Sequence, residues 1–295
     1  MASCKYRFSV VPGFFIDYVE AAKENPGSKL TRQPGLGLRE RTYDSDGIRS
    51  NRGTLWMRFA DYVETLNRQS PPGESYKVLH LVRHGLAVHN VVMEKIGSAS
   101  WKNHWSHLDG DGNLTWLDAK LTEQGIKQAK DISTFWAKAS LDAGIPLPSK
   151  LYTSPLARCL ETTKLVYAPV MASHNLPFAP IVKENLRERL TDHTCDKRSP
   201  RSWISANYPD YALEPSFTET DELWKADVWE SDAEHQARMQ TLLEEIYSSD
   251  VASFVSLSTH SYTISAILEV VGAEDFRVAE GGVATLLVKG ISLRD

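Results

Sequence analysis

Cysteine is scarce in this chain: three residues in 295, Cys4, Cys159 and Cys195, odd in number and without a C-x-x-C spacing. That fits a reducing compartment better than a disulfide scaffold. Long apolar runs are missing too. No stretch approaches the length needed to span a membrane, and the opening Met1-Ala2-Ser3-Cys4-Lys5-Tyr6-Arg7 lacks the apolar core of a secretory signal. Nor is there an excess of positive charge. Against 38 acidic residues stand 33 lysines and arginines, net −5, so no global basic field recruits nucleic acid or an anionic membrane. Any anion site must be local. A Walker phosphate loop and a G-x-S-x-G elbow are both absent, which argues against a nucleoside triphosphatase and a serine hydrolase. Internal repeats and low-complexity tracts are absent as well. With 42% hydrophobic and 24% charged residues, the chain reads as an ordinary soluble globular protein, cytoplasmic or nuclear by default.

Up to about Gly73 the sequence is punctuated by turn signals, at Pro12-Gly13, Pro26-Gly27, Pro34-Gly35-Leu36-Gly37 and Pro71-Pro72-Gly73. Residues 1–75 are therefore read as an N-terminal arm. One amphipathic helix, with Trp56, Phe59, Tyr62, Val63 and Leu66 at helical spacing, packs it on the core. From Tyr76 the texture changes to apolar runs alternating with periodic segments, the pattern of strands alternating with helices. Strands are expected near 77–83, 149–153, 179–183, 253–259 and 283–289. Ile126, Ala129, Ile132, Trp136 and Ala139 mark one buried helical stripe; Ala237, Leu242, Leu243 and Ile246 mark another, opened by the capping box Ser231-Asp232-Ala233-Glu234. The expected architecture is a three-layer α/β sandwich, a central mostly parallel mixed sheet with helices on both faces. Residues 76–295 form the catalytic domain, and the arm packs on it.

The chemistry concentrates at strand ends. The run Val78-Leu79-His80-Leu81-Val82 stops against Arg83-His84-Gly85, so a buried strand delivers a cation and an imidazole to its mouth. Asn90 follows six residues after the histidine. Ser154-Pro155-Leu156-Ala157-Arg158 follows a second strand, and Ser258-Thr259-His260-Ser261 a third. Helices are expected to start directly after Arg83-His84 and after His260, placing both histidines in one crevice beyond the carboxyl ends of the strands. Neutral imidazole is nucleophilic near neutral pH, and an adjacent guanidinium attracts phosphoryl oxygens and neutralises developing charge. Gly85 is read as permitting close backbone approach to a ligand and a sharp exit from the strand. The competing reading is a histidine that merely satisfies a structural role.

Leu81-Val82-Arg83-His84-Gly85 with Asn90, Ser154-Pro155-Leu156-Ala157-Arg158-Cys159, Leu186-Arg187-Glu188 and Thr259-His260 resemble, in order and spacing, the histidine phosphatase superfamily, also called phosphoglycerate-mutase-like. Leu121-Thr122-Glu123-Gln124-Gly125-Ile126-Lys127-Gln128-Ala129 is similar to that family's helix opening. Val11-Pro12-Gly13-Phe14-Phe15, Gly110-Asp111-Gly112 and His193-Thr194-Cys195-Asp196-Lys197-Arg198 resemble its fungal phosphomutase-like branch. The resemblance implies a two-step transfer. His84 attacks phosphorus, and water hydrolyses the phosphohistidine. Arg83, Arg158 and His260 surround the phosphoryl oxygens, and no metal or other cofactor is needed. A cluster of fixed cations is coherent apparatus for phosphoryl transfer, which asks mainly for alignment and charge stabilisation. Protonation of the leaving alkoxide falls to Glu188, the family's acid position, contested by Glu184, Asp192 and Asp196. Asn90, His193, Arg198 and Ser261 are the candidate substrate-binding residues. Arg187 and Arg189, with His193 and Arg198, are candidates for reading the non-reacting end.

Asp109-Gly110-Asp111-Gly112-Asn113 mimics the start of a calcium loop, but Leu114 and Lys120 stand where glycine and an acid are required, so a turn is expected. His104 and His107 beside Asp109 have metal-ligand spacing. The surrounding Trp101, Trp105 and Trp116 suggest instead an aromatic wall over the site, and a ring-bearing or apolar leaving group, although tryptophans more commonly serve a core. The expected partner is a small phosphorylated molecule, not nucleic acid or membrane; oligomeric state is not written in one sequence. The functions that stay open are a phosphatase of small molecules, a phosphomutase returning the phosphoryl group to another hydroxyl, a non-catalytic phospho-ligand binder and, as a lesser rival, a regulatory phosphoprotein phosphatase.

Overall fold

A computed structural model of the chain describes residues 5–47 and 53–293; Cys4 lies outside them. In chain order the strands are β1 (Tyr6–Val10), β2 (Lys29–Leu30), β3 (Glu74–Arg83), β4 (Lys150–Thr153), β5 (Ile181–Val182), β6 (Ala212–Leu213), β7 (Phe254–Thr259), β8 (Arg277–Val278) and β9 (Val283–Ser292). The helices are α1 (Tyr18–Lys23), α2 (Leu55–Gln69), α3 (Val88–Ile96), α4 (Ser98–Asn103), α5 (Glu123–Asp142), α6 (Ala157–Ser173), α7 (Arg201–Asn207), α8 (Asp232–Ser249) and α9 (Ser261–Val270). Seven strands form one sheet in the order β1-β9-β3-β7-β4-β5-β6, and β2 pairs separately with β8. The run β3-β7-β4-β5-β6 is parallel throughout, and β9 is antiparallel to both of its neighbours. This is the mostly parallel mixed sheet expected from the sequence.

Period-two alternation sends successive side chains of a strand to opposite faces. Leu79 and Leu81 of β3, with Val255 and Leu257 of β7, pack against Leu242, Leu243 and Ile246 of α8 and Ile264, Ile267 and Leu268 of α9. Val78 and Val82 go the other way, onto Phe59 and Val63 of α2, Ala129, Ile132 and Trp136 of α5, and Val166 and Tyr167 of α6. Three layers result, each face burying its own core. The α8 capping box is formed, with Glu234 accepting from Ser231 N–H and Ser231 Oγ capping Glu234 N–H. Among the described residues no helix is long and apolar enough to cross a membrane.

Two details depart from the sequence reading. Within the stretch read as an arm, Tyr6–Val10 is an edge strand of the main sheet, in register with Val288–Ser292 of β9. The helix after His84 does not begin at once: α3 starts at Val88, and residues 85–87 first cross the end of α5. A Cβ on Gly85 would overlap the Gly125 carbonyl, and one on Gly125 would lie 2.9 Å from Leu86 N. Gly85 is thus demanded by a backbone-to-backbone crossing, and the approach it permits is to α5 rather than to a ligand.

Candidate active site

Three adjacent parallel strands end level with one another. Val82 of β3 pairs with Ser258 of β7, which pairs with Thr153 of β4. His84, His260 and Ser154 are therefore the next residues beyond one rim of the sheet, where open α/β sheets bind ligands. His84 N–H donates to the Thr259 carbonyl (3.0 Å), and Ser154 N–H to that of Ser258 (3.0 Å), extending the ladder by one rung.

His84 is buried, and its Nδ1 lies 2.7 Å from the carbonyl oxygen of Gly85. A carbonyl only accepts, so Nδ1 carries the proton and Nε2 keeps its lone pair. Burial, then the Arg158 and Arg83 guanidiniums, hold the pKa well below the ordinary histidine value. The ring of His260 lies 5.1 Å away, centroid to centroid, and that of His89 6.1 Å away. His260 has no solvent exposure; its Nε2 meets Ser154 Oγ at 2.8 Å and Cys159 Sγ at 3.4 Å. Burial and the same cations depress its pKa as well.

Arg83 turns back under the rim. Its Nη1 donates to the Val278 carbonyl (2.7 Å) and its Nη2 pairs with Glu280 (2.8 Å), while Nε is buried without a partner. Arg158, 1% exposed at the start of α6, donates from Nη1 to the Cys195 carbonyl (2.7 Å) and from Nη2 to Asp196 (2.9 Å); its Nε is likewise unpartnered. Asp118, at a left-handed φ of 43°, holds the beginning of that helix by accepting Ala157 N–H (2.8 Å) and the Ser199 hydroxyl (2.6 Å).

Glu188 is clamped at the start of α9. Its carboxylate accepts the Thr263 N–H (3.1 Å), the Tyr262 N–H (3.4 Å) and the Arg189 N–H (3.0 Å). Burial, then Asp196, raise its pKa against the pull of Arg158 and Arg83. Its three contenders are otherwise engaged: Glu184 with Arg187 and Arg198, Asp192 with His107, and Asp196 with Arg158. The loop before Glu188 is pinned by Arg238, which donates to the carbonyls of Asn185, Arg187 and Glu188.

The expected substrate-binding residues divide. Asn90 Oδ1 accepts Ala87 N–H (3.1 Å), which fixes the start of α3 and leaves the amide nitrogen. Ser261 Oγ and His193 Nε2 are buried without hydrogen-bond partners. Arg198 is a correction. It pairs with Glu184 (2.5 Å), donates to the carbonyls of Thr218 and Thr220, and lies on the Phe217 ring at 4.1 Å. Its donors are spent on the loop at 217–220. Arg187 is equally committed, gripping Asp221 through two 2.6 Å bonds, and Arg189 pairs with Asp232. Trp101 and Trp116 are buried with Ala87, Val92 and Cys195, so the tryptophan insert is a small core and no open wall. His104 stacks edge-on against Trp105 and His107 pairs with Asp192, while Asp111 caps the turn at 111–114, as a turn rather than an ion loop requires. His89, Glu280, Asp118 and Arg238 were missed; only His89 had a signal, since it directly precedes Asn90.

This fold and this strand-end cluster of imidazoles and guanidiniums define a class of enzymes that includes both phosphatases and phosphomutases. The chain belongs to the histidine phosphatase superfamily, whose branch 1 model matches residues 79–280. It is 41% identical over 284 residues to a "Probable phosphoglycerate mutase" of Arthroderma benhamiae, covering 96% of this chain and 84% of that one. It is 32% identical over 276 residues to "Probable phosphoglycerate mutase PMU1" of Saccharomyces cerevisiae, covering 88% and 87%.

Proposed function

We propose that the chain is a metal-independent phosphatase of the cytoplasm that hydrolyses a small organic phosphate ester through a phosphohistidine on His84. The observation that carries this reading is the fixed tautomer of His84: Nδ1 is tied to the Gly85 carbonyl, so the unprotonated Nε2 is available for in-line attack on phosphorus. Arg83, Arg158 and His260 stabilise the phosphoryl oxygens as charge develops, and removal of any one donor costs on the order of 3 kcal/mol at the transition state. His89 and Ser261 add donors, and Asn90 and His193 meet the rest of the substrate. Glu188, with its raised pKa, gives its proton to the leaving alkoxide and then takes one from the water that attacks the phosphohistidine.

A phosphomutase uses the same residues, and the names of the relatives point there. Hydrolysis is favoured by the state of the distal arginines. A bisphosphate-primed mutase must hold a second anionic group, yet Arg187 and Arg198 are both spent on buried carboxylates, and Arg189 is left with a surface pair to Asp232. The test is phosphate release from sugar, glycerate, nucleotide and prenyl phosphates, with and without chelator. Release that survives chelator and is abolished in His84→Ala is expected. Isomer interconversion that needs a bisphosphate primer, with no release, overturns it in favour of the mutase.

A further inference from the structure

The segment between Glu188 and α7 carries three chemically different donors that the proposed reaction does not use as a set. His193, Cys195 and Asp196 each offer one ligand atom, and these atoms lie within 4.8 Å of one another. A tetrahedral zinc ion bound by nitrogen, sulfur and oxygen at about 2.0–2.3 Å sets its ligands roughly 3.5 Å apart. The most widely separated donors therefore need to draw in by roughly 1.3 Å at most. Their chemistry is selective: imidazole and thiolate favour zinc and its transition-metal neighbours over magnesium or calcium, which prefer oxygen.

A second observation concerns His193. Its Nε2 is buried without a hydrogen-bond partner, and the nearest carboxylate oxygen, on Asp192, is 3.9 Å away. The ring is held by three neighbours, edge-on to Trp229 at 5.3 Å, Trp101 at 6.1 Å and His107 at 6.3 Å. An oriented imidazole with a free nitrogen is already arranged as a ligand. The charges around the three donors are mixed: Asp192 and Lys102 act on His193, Glu188 and Arg158 on Cys195, and Asp196 on both.

We propose that His193, Cys195 and Asp196 bind one zinc ion, and that this ion inhibits the enzyme reversibly. Asp196 supplies the link. It is the carboxylate that holds Arg158, and the carbonyl of Cys195 holds the same guanidinium. On binding, the Cys195 thiol releases its proton to solvent, the thiolate and imidazole bind the ion, and Asp196 shares its charge between the ion and Arg158. The dication repels the guanidinium that the phosphoryl group requires. Three protein ligands leave the fourth tetrahedral position to water or substrate oxygen.

Binding is independent of the phosphatase reading; inhibition rests on it. The test separates them by titrating the full, metal-freed chain with zinc against a chromogenic chelator, and by recording the spectrum of the cobalt form. One ion per chain is expected, with a thiolate-to-cobalt charge-transfer band. Cys195→Ser should weaken zinc binding at least tenfold and abolish the band, and His193→Gln should weaken binding comparably while the band persists in the residual complex. Both variants are checked for native circular dichroism. Phosphate release by the wild type should fall with one-site dependence on zinc and return with chelator, and Cys195→Ser should resist zinc. Failure to bind, or binding unchanged in both variants, overturns the site. Stoichiometric binding without loss of phosphate release overturns the inhibition alone.

Discussion

Replacing Gly125 with alanine is the sharpest test of how the catalytic loop is held. In an ordinary helix the change is stabilising, by about 1 kcal/mol, because alanine has the better propensity. Gly125 is the third residue of α5, where its N–H is capped by Thr122 Oγ1 (3.1 Å). There a Cβ would overlap the Leu86 carbonyl oxygen and lie 2.9 Å from Leu86 N and 3.0 Å from Leu86 C. Non-bonded contacts settle near 3.5 Å, so α5 and the 85–87 crossing must part by on the order of 1 Å. Both strands of the crossing are backbone, and neither can rotate out of the way. Overpacking of backbone on backbone lies at the upper end of the usual range, about 2–3 kcal/mol, which outweighs the propensity gain and leaves a net loss near 1–2 kcal/mol. For a chain of this size that is a fall in Tm of about 2–3 °C. The larger effect is on turnover. His84 and His89 flank the crossing, and a displacement of about 1 Å at a reacting group costs roughly a hundredfold. Thermal unfolding with kcat on the best substrate of the phosphate-release panel measures both. A Gly125→Ala protein of equal or higher Tm and undiminished kcat would refute the argument that this crossing fixes the nucleophile.

Three further outcomes follow from the same geometry. His84 has a pKa depressed by burial and two arginines, and Glu188 one raised by burial, so phosphate release should persist well below pH 6.5 and decline on the alkaline side as Glu188 loses its proton. Glu188→Gln should abolish the alkaline limb of kcat/KM along with most of the rate, and an unshifted profile counts against its role as the acid. Arg198→Ala should lower stability by roughly 3 kcal/mol by leaving the mostly buried Glu184 with only the longer contact to Arg187 and by freeing the carbonyls of Thr218 and Thr220, with little change in KM measured in the cold. A tenfold rise in KM with unchanged stability would instead return Arg198 to the substrate. His80, fully buried on Thr285 Oγ1, has its pKa pushed down to about 3 by burial. The unfolded chain binds a proton there that the native chain refuses, so this contribution to stability is intact above pH 6.5 and declines from there toward pH 3. By pH 5 the loss amounts to about 2 kcal/mol, and denaturant titrations of His80→Gln should show a correspondingly shallower acid slope.

The sheet was legible because its central strands are apolar runs bounded by turns, and the five stretches that were read fall on β3, β4, β7, β9 and the two-residue β5. β1 went unread although Tyr6, Phe8 and Val10 alternate with Arg7 and Ser9 as an edge strand should. Five residues with no helix to follow look like coil until β9, almost the whole chain away, supplies the partner. β6 and β8 are two-residue pairings that exist only because neighbouring backbone lies beside them.

At the site, legibility followed the backbone. His84 and His260 were readable because each stands one residue past a strand whose hydrophobicity announces it, and strand ends in parallel sheets converge. Arg198 and Arg187 could not be sorted the same way, since an arginine in a loop reads identically whether its fork meets substrate or a carboxylate of the same chain. What decides is a partner distant in sequence: Asp221 for Arg187, Glu184 and the carbonyls of 218–220 for Arg198. Arg158 is the instructive intermediate. Two of its nitrogens are spent on Cys195 and Asp196, yet Nε stays buried and unpartnered beside two neutral imidazoles. A guanidinium held by one carboxylate and one carbonyl is oriented while its Nε remains a free donor. Such a group is pre-organised for an anion and costs little reorganisation when charge develops. On the proposed reading the same fork geometry serves the phosphoryl group in one arginine and clamps a loop in another, according to how many carboxylates share it: Asp196 for Arg158, Glu184 and Asp221 for Arg187.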